Sequence, residues 1–287
     1  MGKCNMNRNA PDWYRDPSVS DSLRETRELI HHVQKLDPEF RLVKPILTPR
    51  FAICCEPELL DGLGAIAREH PDLPIQTHFN EAKQEIEFTH QLFPEFDTEA
   101  DLYQRYGLLN DRSILAHCIF LQEGEMRRIQ ELGCGISHCP ISNTTMQDFM
   151  VAPVREYLRR GIKVGLGTDS GGGYSSSILD AMKQAFIVSN AQQMLTQGRD
   201  PALSLCEGFF LATLGGAQVC GLDDRVGNFA VGKEFDALEV HTNLGQAGVM
   251  SPVEDEDTLQ VIFEKFLMTG DDRNIVKVYV SGRSVKL

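Results

Sequence analysis

Short apolar, β-branched runs alternate with amphipathic stretches through most of the chain. Residues 42–48 read as a strand, and residues 58–69 follow as a helix with Leu59, Leu60, Leu63 and Ile66 on one face. The same alternation predicts strands at 75–78, 113–117, 135–138 and 162–168, and helices at 81–92, 123–132, 151–160 and 177–195. In the 123–132 stretch Met126, Ile129 and Leu132 fall at helical spacing, and Gly133 supplies a left-handed stop. Gly161 ends the next helix in the same way. Strands alternating with helices predict a parallel sheet with right-handed crossovers.

Polar residues recur at the C-terminal ends of these strands: Arg50, His78, His117, His138 and Asp169. In a (β/α)8 barrel that rim is where active sites are built. Five strands are clear, residues 2–6 offer a sixth, and eight are needed for closure. The pattern therefore predicts an α/β chain, an incomplete TIM-type (β/α)8 barrel lacking its first strands. A helical segment at 202–219 follows the last barrel strand, and past Gly221 the pattern changes to short strands and turns, clearest at 236–240 and 276–280. The expected division is a barrel over 1–221 and a small C-terminal β element over 222–287.

Composition narrows the function classes. A hydrophobic content of 42% with 24% charged residues is that of a globular protein. No apolar run is long enough to span a membrane, and the N-terminal residues lack the apolar core of a secretion signal. Eight cysteines with no C-x-x-C pair read as reduced thiols, which predicts a cytoplasmic protein without a thiolate zinc site. The net charge of −13 opposes nucleic acid binding and favours a small, uncharged substrate.

His78 and Asp169 look like half of a metal site, because a hydrolytic zinc site needs at least three protein ligands and a water. No His-x-His pair exists anywhere in the 287 residues. Glu81 follows His78 by three residues, close enough to share one rim and to take a proton from water and pass it to a departing amine. A lone strand histidine is more often structural than a ligand, and His138 can simply close its strand by hydrogen bonding. The glycines from Gly165 to Gly173 lack the Gly-Lys-Ser/Thr ending of a Walker loop and the spacing of a dinucleotide site. They fit a tight backbone turn beside a carboxylate, although general tolerance of glycine explains them too. Arg50 and Phe51 offer a planar donor fork beside an aromatic face, suited to a flat heterocycle; a surface salt bridge is the commoner use of such an arginine.

The segments Thr48-Pro49-Arg50-Phe51, Thr77-His78-Phe79-Asn80-Glu81, Leu115-Ala116-His117-Cys118 and Ser137-His138-Cys139-Pro140-Ile141-Ser142-Asn143 occur in amidohydrolase order. With Gly165 to Tyr174, Leu211 to Ala217 and Gly270-Asp271-Asp272-Arg273-Asn274-Ile275, they resemble the guanine deaminases over nearly the whole chain. The resemblance implies hydrolytic deamination of guanine to xanthine and ammonia, with one zinc ion. It implies His78 and Asp169 as metal ligands, Glu81 as proton shuttle, His117 as orienter of the attacking water, and Arg50 and Phe51 as purine-recognising residues. It also implies a homodimer, and a His-x-His on the first barrel strand for the other two ligands, so the expectation is an impaired chain. The alternatives are a non-catalytic fragment or interaction protein, or a related amidohydrolase acting on another amino-heterocycle.

Overall fold

A computed structural model describes residues 1–146, 150–242 and 250–286, and six of their strands run parallel. They are β1 (Cys4–Asn5), β2 (Thr48–Pro49), β3 (Ile75–Phe79), β4 (Ser113–His117), β5 (Gly135–His138) and β6 (Lys163–Leu166). β1 pairs with β2, and β3 to β6 pair in sequence order. A parallel bridge between Leu47 and Ile75 joins the two groups. The sixth strand offered by the N-terminal residues is therefore present.

The helices are α1 (Val19–Leu36), α2 (Pro57–Glu69), α3 (Lys83–Leu92), α4 (Glu99–Arg105), α5 (Glu123–Leu132), α6 (Pro140–Thr145), α7 (Val154–Arg159), α8 (Ile178–Leu195), α9 (Leu205–Phe210), α10 (Gly216–Val219) and α11 (Leu259–Thr269). Two expectations need correcting. The strand expected at 42–48 is confined to its end, because the Asp37 carboxylate accepts the backbone N–H groups of Leu42 and Val43 at 2.6 and 3.0 Å and holds them out of a ladder. The single helix expected at 202–219 is α9, a π-helical turn at Leu211–Gly215, and α10.

Strand alternation sorts the sheet into two faces. β3 buries Ile75, Thr77 and Phe79 and leaves Gln76 and His78 half-buried. In parallel register Leu115 and Ile136 continue the first face, which packs on Leu59, Leu63, Tyr103, Ile129 and Tyr157 of the helical layer. Thr77 and Tyr103 share a hydroxyl hydrogen bond of 2.7 Å within that layer. His78, Ala116 and Ser137 continue the second face and remain half-buried. Part of that face is covered by the turn into α10. A Cβ on Gly165 would lie 2.7 Å from Gly216 Cα, and one on Gly135 would lie 3.0 Å from Val219 Cα, so both positions admit only glycine at this approach.

Beyond Gly221, β7 (Ala237–Val240), β8 (Ile275–Val280) and β9 (Arg283–Lys286) form an antiparallel sheet, as the turn-rich pattern indicated. The same segment also contributes α11, which packs Phe266 and Leu267 with Met250 against Met182 of α8. Lys183 donates to the Gly270 carbonyl at 2.6 Å across the same contact.

Candidate active site

Four residues at or just past the ends of β3, β4 and β6 have left-handed backbone: Asn80 (φ +46°), His117 (+70°), Cys118 (+50°) and Asp169 (+44°). Such conformations are costly for side-chain-bearing residues and collect where function fixes the backbone. At His117 the consequence is direct. Alternation pairs it with Phe79 on the helix-covered face, yet its ring lies 5.1 Å from that of His78, which belongs to the other face. The left-handed turn redirects the side chain. Tyr157 donates to the Cys118 carbonyl and anchors the turn from below.

His78 is held on three sides. Its Nδ1 lies 2.9 Å from the Arg50 carbonyl, and because a carbonyl only accepts, Nδ1 carries the proton there. Nε2 of the neutral ring is then left with its lone pair, the form that binds a metal. Burial, followed by the neighbouring His117, lowers the His78 pKa to about 4, so the ring is neutral at pH 7. Phe51 stacks on it with centroids 4.0 Å apart and an interplanar angle of 22°, and the Arg50 guanidinium stands 5.3 Å from the Phe51 ring centre.

Glu81 and His117 complete the cluster. Glu81 Oε1 lies 3.5 Å from His117 Nδ1, and that nitrogen is also 2.8 Å from Asn143 Oδ1. Burial raises the Glu81 pKa above the usual carboxylate range, with His117 opposing and Asp169 adding to the shift. His117 Nε2 is buried without a hydrogen-bond partner.

Asp169 follows β6, where Gly173 donates its N–H to the Asp169 carbonyl at 2.6 Å. A Cβ on Gly172 would sit 2.5 Å from Asp169 Oδ2. The glycines therefore do let the backbone fold tightly around a carboxylate. His138 departs from its group: it is fully buried on the helix side of β5, and its Nδ1 has no hydrogen-bond partner, so no bond from that atom closes the strand. Burial lowers its pKa to about 3.

One ligand atom from each of His78, Glu81 and His117 falls within 4.8 Å of the others, a spacing and donor chemistry that a divalent ion accepts. Asp169 is outside that set but close enough to favour the charged form of His78 and to disfavour that of Glu81. Sequence reasoning missed Asn143, the Arg50 carbonyl and Asn80. Asn143 stands in a quoted motif, but nothing in its spacing signals that it meets His117, and backbone groups carry no residue signal at all.

The amidohydrolase family model matches residues 1–285. A probable guanine deaminase from Schizosaccharomyces pombe is 45% identical over 285 residues, covering 99% of this chain and 54% of its own length. The guanine deaminase of Escherichia coli K12 is 36% identical over 286 residues, covering 99% and 62%. Among solved structures, E. coli guanine deaminase superposes with a TM-score of 0.88 at 34% identity, over 99% of this chain and 63% of that one. Guanine deaminase from C. acetobutylicum, solved with guanine in its active site, superposes with a TM-score of 0.87 at 35% identity, over 99% and 64%. The chain thus spans less than two thirds of the length of these relatives. Its parallel strands, the rim that carries His78, Glu81 and His117, and the match over 1–285 together place it in the amidohydrolase family.

Proposed function

We propose that this chain carries the acid–base and purine-facing side of a site for hydrolytic deamination of guanine to xanthine and ammonia. The observation that carries the reading is the convergence of His78, Glu81 and His117 at adjoining strand ends, with Phe51 stacked on His78. The similarity to the guanine deaminases supports the choice of guanine.

His78 and Asp169 would hold a zinc ion, and zinc when bound lowers the pKa of water to about 7. The Arg50 carbonyl keeps His78 in the tautomer that leaves Nε2 free. Glu81 takes a proton from the attacking water and delivers it to the purine ring nitrogen. Glu81 then takes the second proton from the hydroxyl formed at the attacked carbon and passes it to the amine, which leaves as ammonia while the carbon–oxygen double bond forms. Its raised pKa suits both directions of transfer. His117, steadied by Asn143, faces Glu81 and orients the water. Arg50 and Phe51 receive the purine, the guanidinium at its carbonyl and the ring against its face. Eight free thiols fit a reducing, cytoplasmic setting.

The chain contributes two of the ligands that the reading requires, so the reaction is best tested in a hybrid. The hybrid carries the 287 residues in place of the matching portion of the E. coli guanine deaminase. Turnover is measured on guanine, adenosine, an amino-pterin and an amino-triazine. Guanine is expected to be the preferred substrate by kcat/KM; preference for one of the others would reassign the substrate.

A further inference from the structure

Asn80 is 2% exposed and stands between His78 and Glu81. Its φ of +46° lies in the left-handed region, which asparagine enters more readily than most side-chain-bearing residues. Its polar groups are committed to three different elements. The backbone N–H donates to Glu99 Oε2 at 2.9 Å, and Glu99 opens α4. The carbonyl accepts from Ile119 and Phe120 at 3.0 and 3.2 Å, just past the end of β4. The side-chain Nδ2 lies 2.9 Å from both oxygens of Glu125, in the first turn of α5.

The two carboxylates are built into their helices. Glu125 also accepts the Gln122 N–H at 3.0 Å as part of the α5 cap, and Glu99 meets the Thr89 hydroxyl at 3.2 Å. Both are buried. The chain reverses at Asn80, and the next side chain, Glu81, arrives 3.5 Å from His117. Glycine would adopt the same φ but take the side-chain amide away from Glu125, which would keep only backbone donors such as the Gln122 N–H. Aspartate would match the shape and set carboxylate against carboxylate.

We propose that Asn80 is a positioning residue: through Glu99 and Glu125 it fixes the turn that aims Glu81 at His117. Its functional meaning rests on Glu81 being the proton carrier proposed above. The geometric claim is tested separately, on the 287-residue chain itself, by crystal structures and melting curves of three variants. Asn80→Asp should lower the melting midpoint by roughly 5–10 °C and break the 3.5 Å approach of Glu81 to His117. Adding Glu125→Gln reverses donor and acceptor across the same contact, and should return both the approach and most of the midpoint. Asn80→Gly, which tolerates the turn and covers the case in which Asn80→Asp does not fold, should show Glu81 in more than one position. Retention of a single Glu81 position at its present distance from His117 in Asn80→Asp or Asn80→Gly would overturn the proposal, as would a double variant that folds without restoring the approach. These readouts do not involve guanine. A hybrid that deaminates none would remove the catalytic reading and leave the positioning result standing.

Discussion

Asn143 reaches His117 from α6, 26 residues along the chain, and its 2.8 Å contact leaves His117 Nδ1 shared between an amide oxygen and Glu81. Removing that contact should loosen the ring without touching His78. In the hybrid enzyme, Asn143→Ala is expected to lower kcat about tenfold, the loss of one orienting hydrogen bond of roughly 1.4 kcal/mol. Zinc content should stay constant; a normal kcat would mean that backbone alone orients His117. That His78, Glu81 and His117 come together was legible in the sequence because each stands at or just past the end of a locally patterned strand. Asn143, Asn80 and the Arg50 carbonyl were not. Each matters through a partner that only the crossovers between strands bring near, and a carbonyl has no identity in a sequence. The set with mutual proximity also differs from the ligand pair that the resemblance implies, since Asp169 acts on it from outside.

Elements with regular alternation were the most readable. The strands expected at 113–117 and 135–138 and the helix at 123–132 have the observed bounds. α1 escaped because its buried face carries Ser22 and Thr26, polar residues whose hydroxyls meet the Asn5 side chain at 2.9 Å. The helices α7 and α9 are joined by Arg155, whose guanidinium forks onto both Glu207 oxygens, one of them at 2.9 Å. That arginine, ahead of a Ser204 cap, holds the Glu207 pKa down to about 2. A carboxyl depressed in the folded state contributes stability above its unfolded pKa of about 4.3, and loses it as pH falls toward the folded value. The pair is part-exposed, so about 1 kcal/mol is a fair scale. Glu207→Gln should therefore melt a few degrees below the parent at pH 6, with the gap closing as the pH is taken from about 5 toward 2. A gap independent of pH would show that packing, and not charge, joins the two helices. Gly165→Ala addresses the other contact of this segment. Its methyl meets the Gly216 backbone at 2.7 Å, and a cost of about 1–3 kcal/mol in urea unfolding is expected. An unchanged midpoint would mean that α10 can shift away freely.

At the scale of the molecule, one face of the parallel sheet is sealed by helices, and the other, with Gln76, His78, Ile114, Ala116 and Ser137, is half-buried. Parallel sheets are ordinarily covered on both faces, and each 100 Å² of apolar surface removed from water yields about 2.5 kcal/mol. The partial cover from α10 was not foreseen from the sequence, because it depends on glycine-to-glycine approach between distant segments. The 287-residue chain is expected to self-associate, its sedimentation coefficient rising with concentration; a constant monomeric value would show that the α10 cover suffices. The barrel-like succession of strands was legible because it follows from local periodicity, whereas the coverage of its inner face is a long-range property. The central claim is that these rim residues perform guanine deamination, with Glu81 carrying the proton. Its most direct test is xanthine formation from guanine by the zinc-loaded hybrid before and after Glu81→Gln, with zinc content measured on both. The account predicts turnover in the parent, equal zinc in the variant, and a rate at least about 100-fold lower, because an amide cannot relay protons. A Glu81→Gln hybrid that retains zinc and forms xanthine at the parent rate would contradict it.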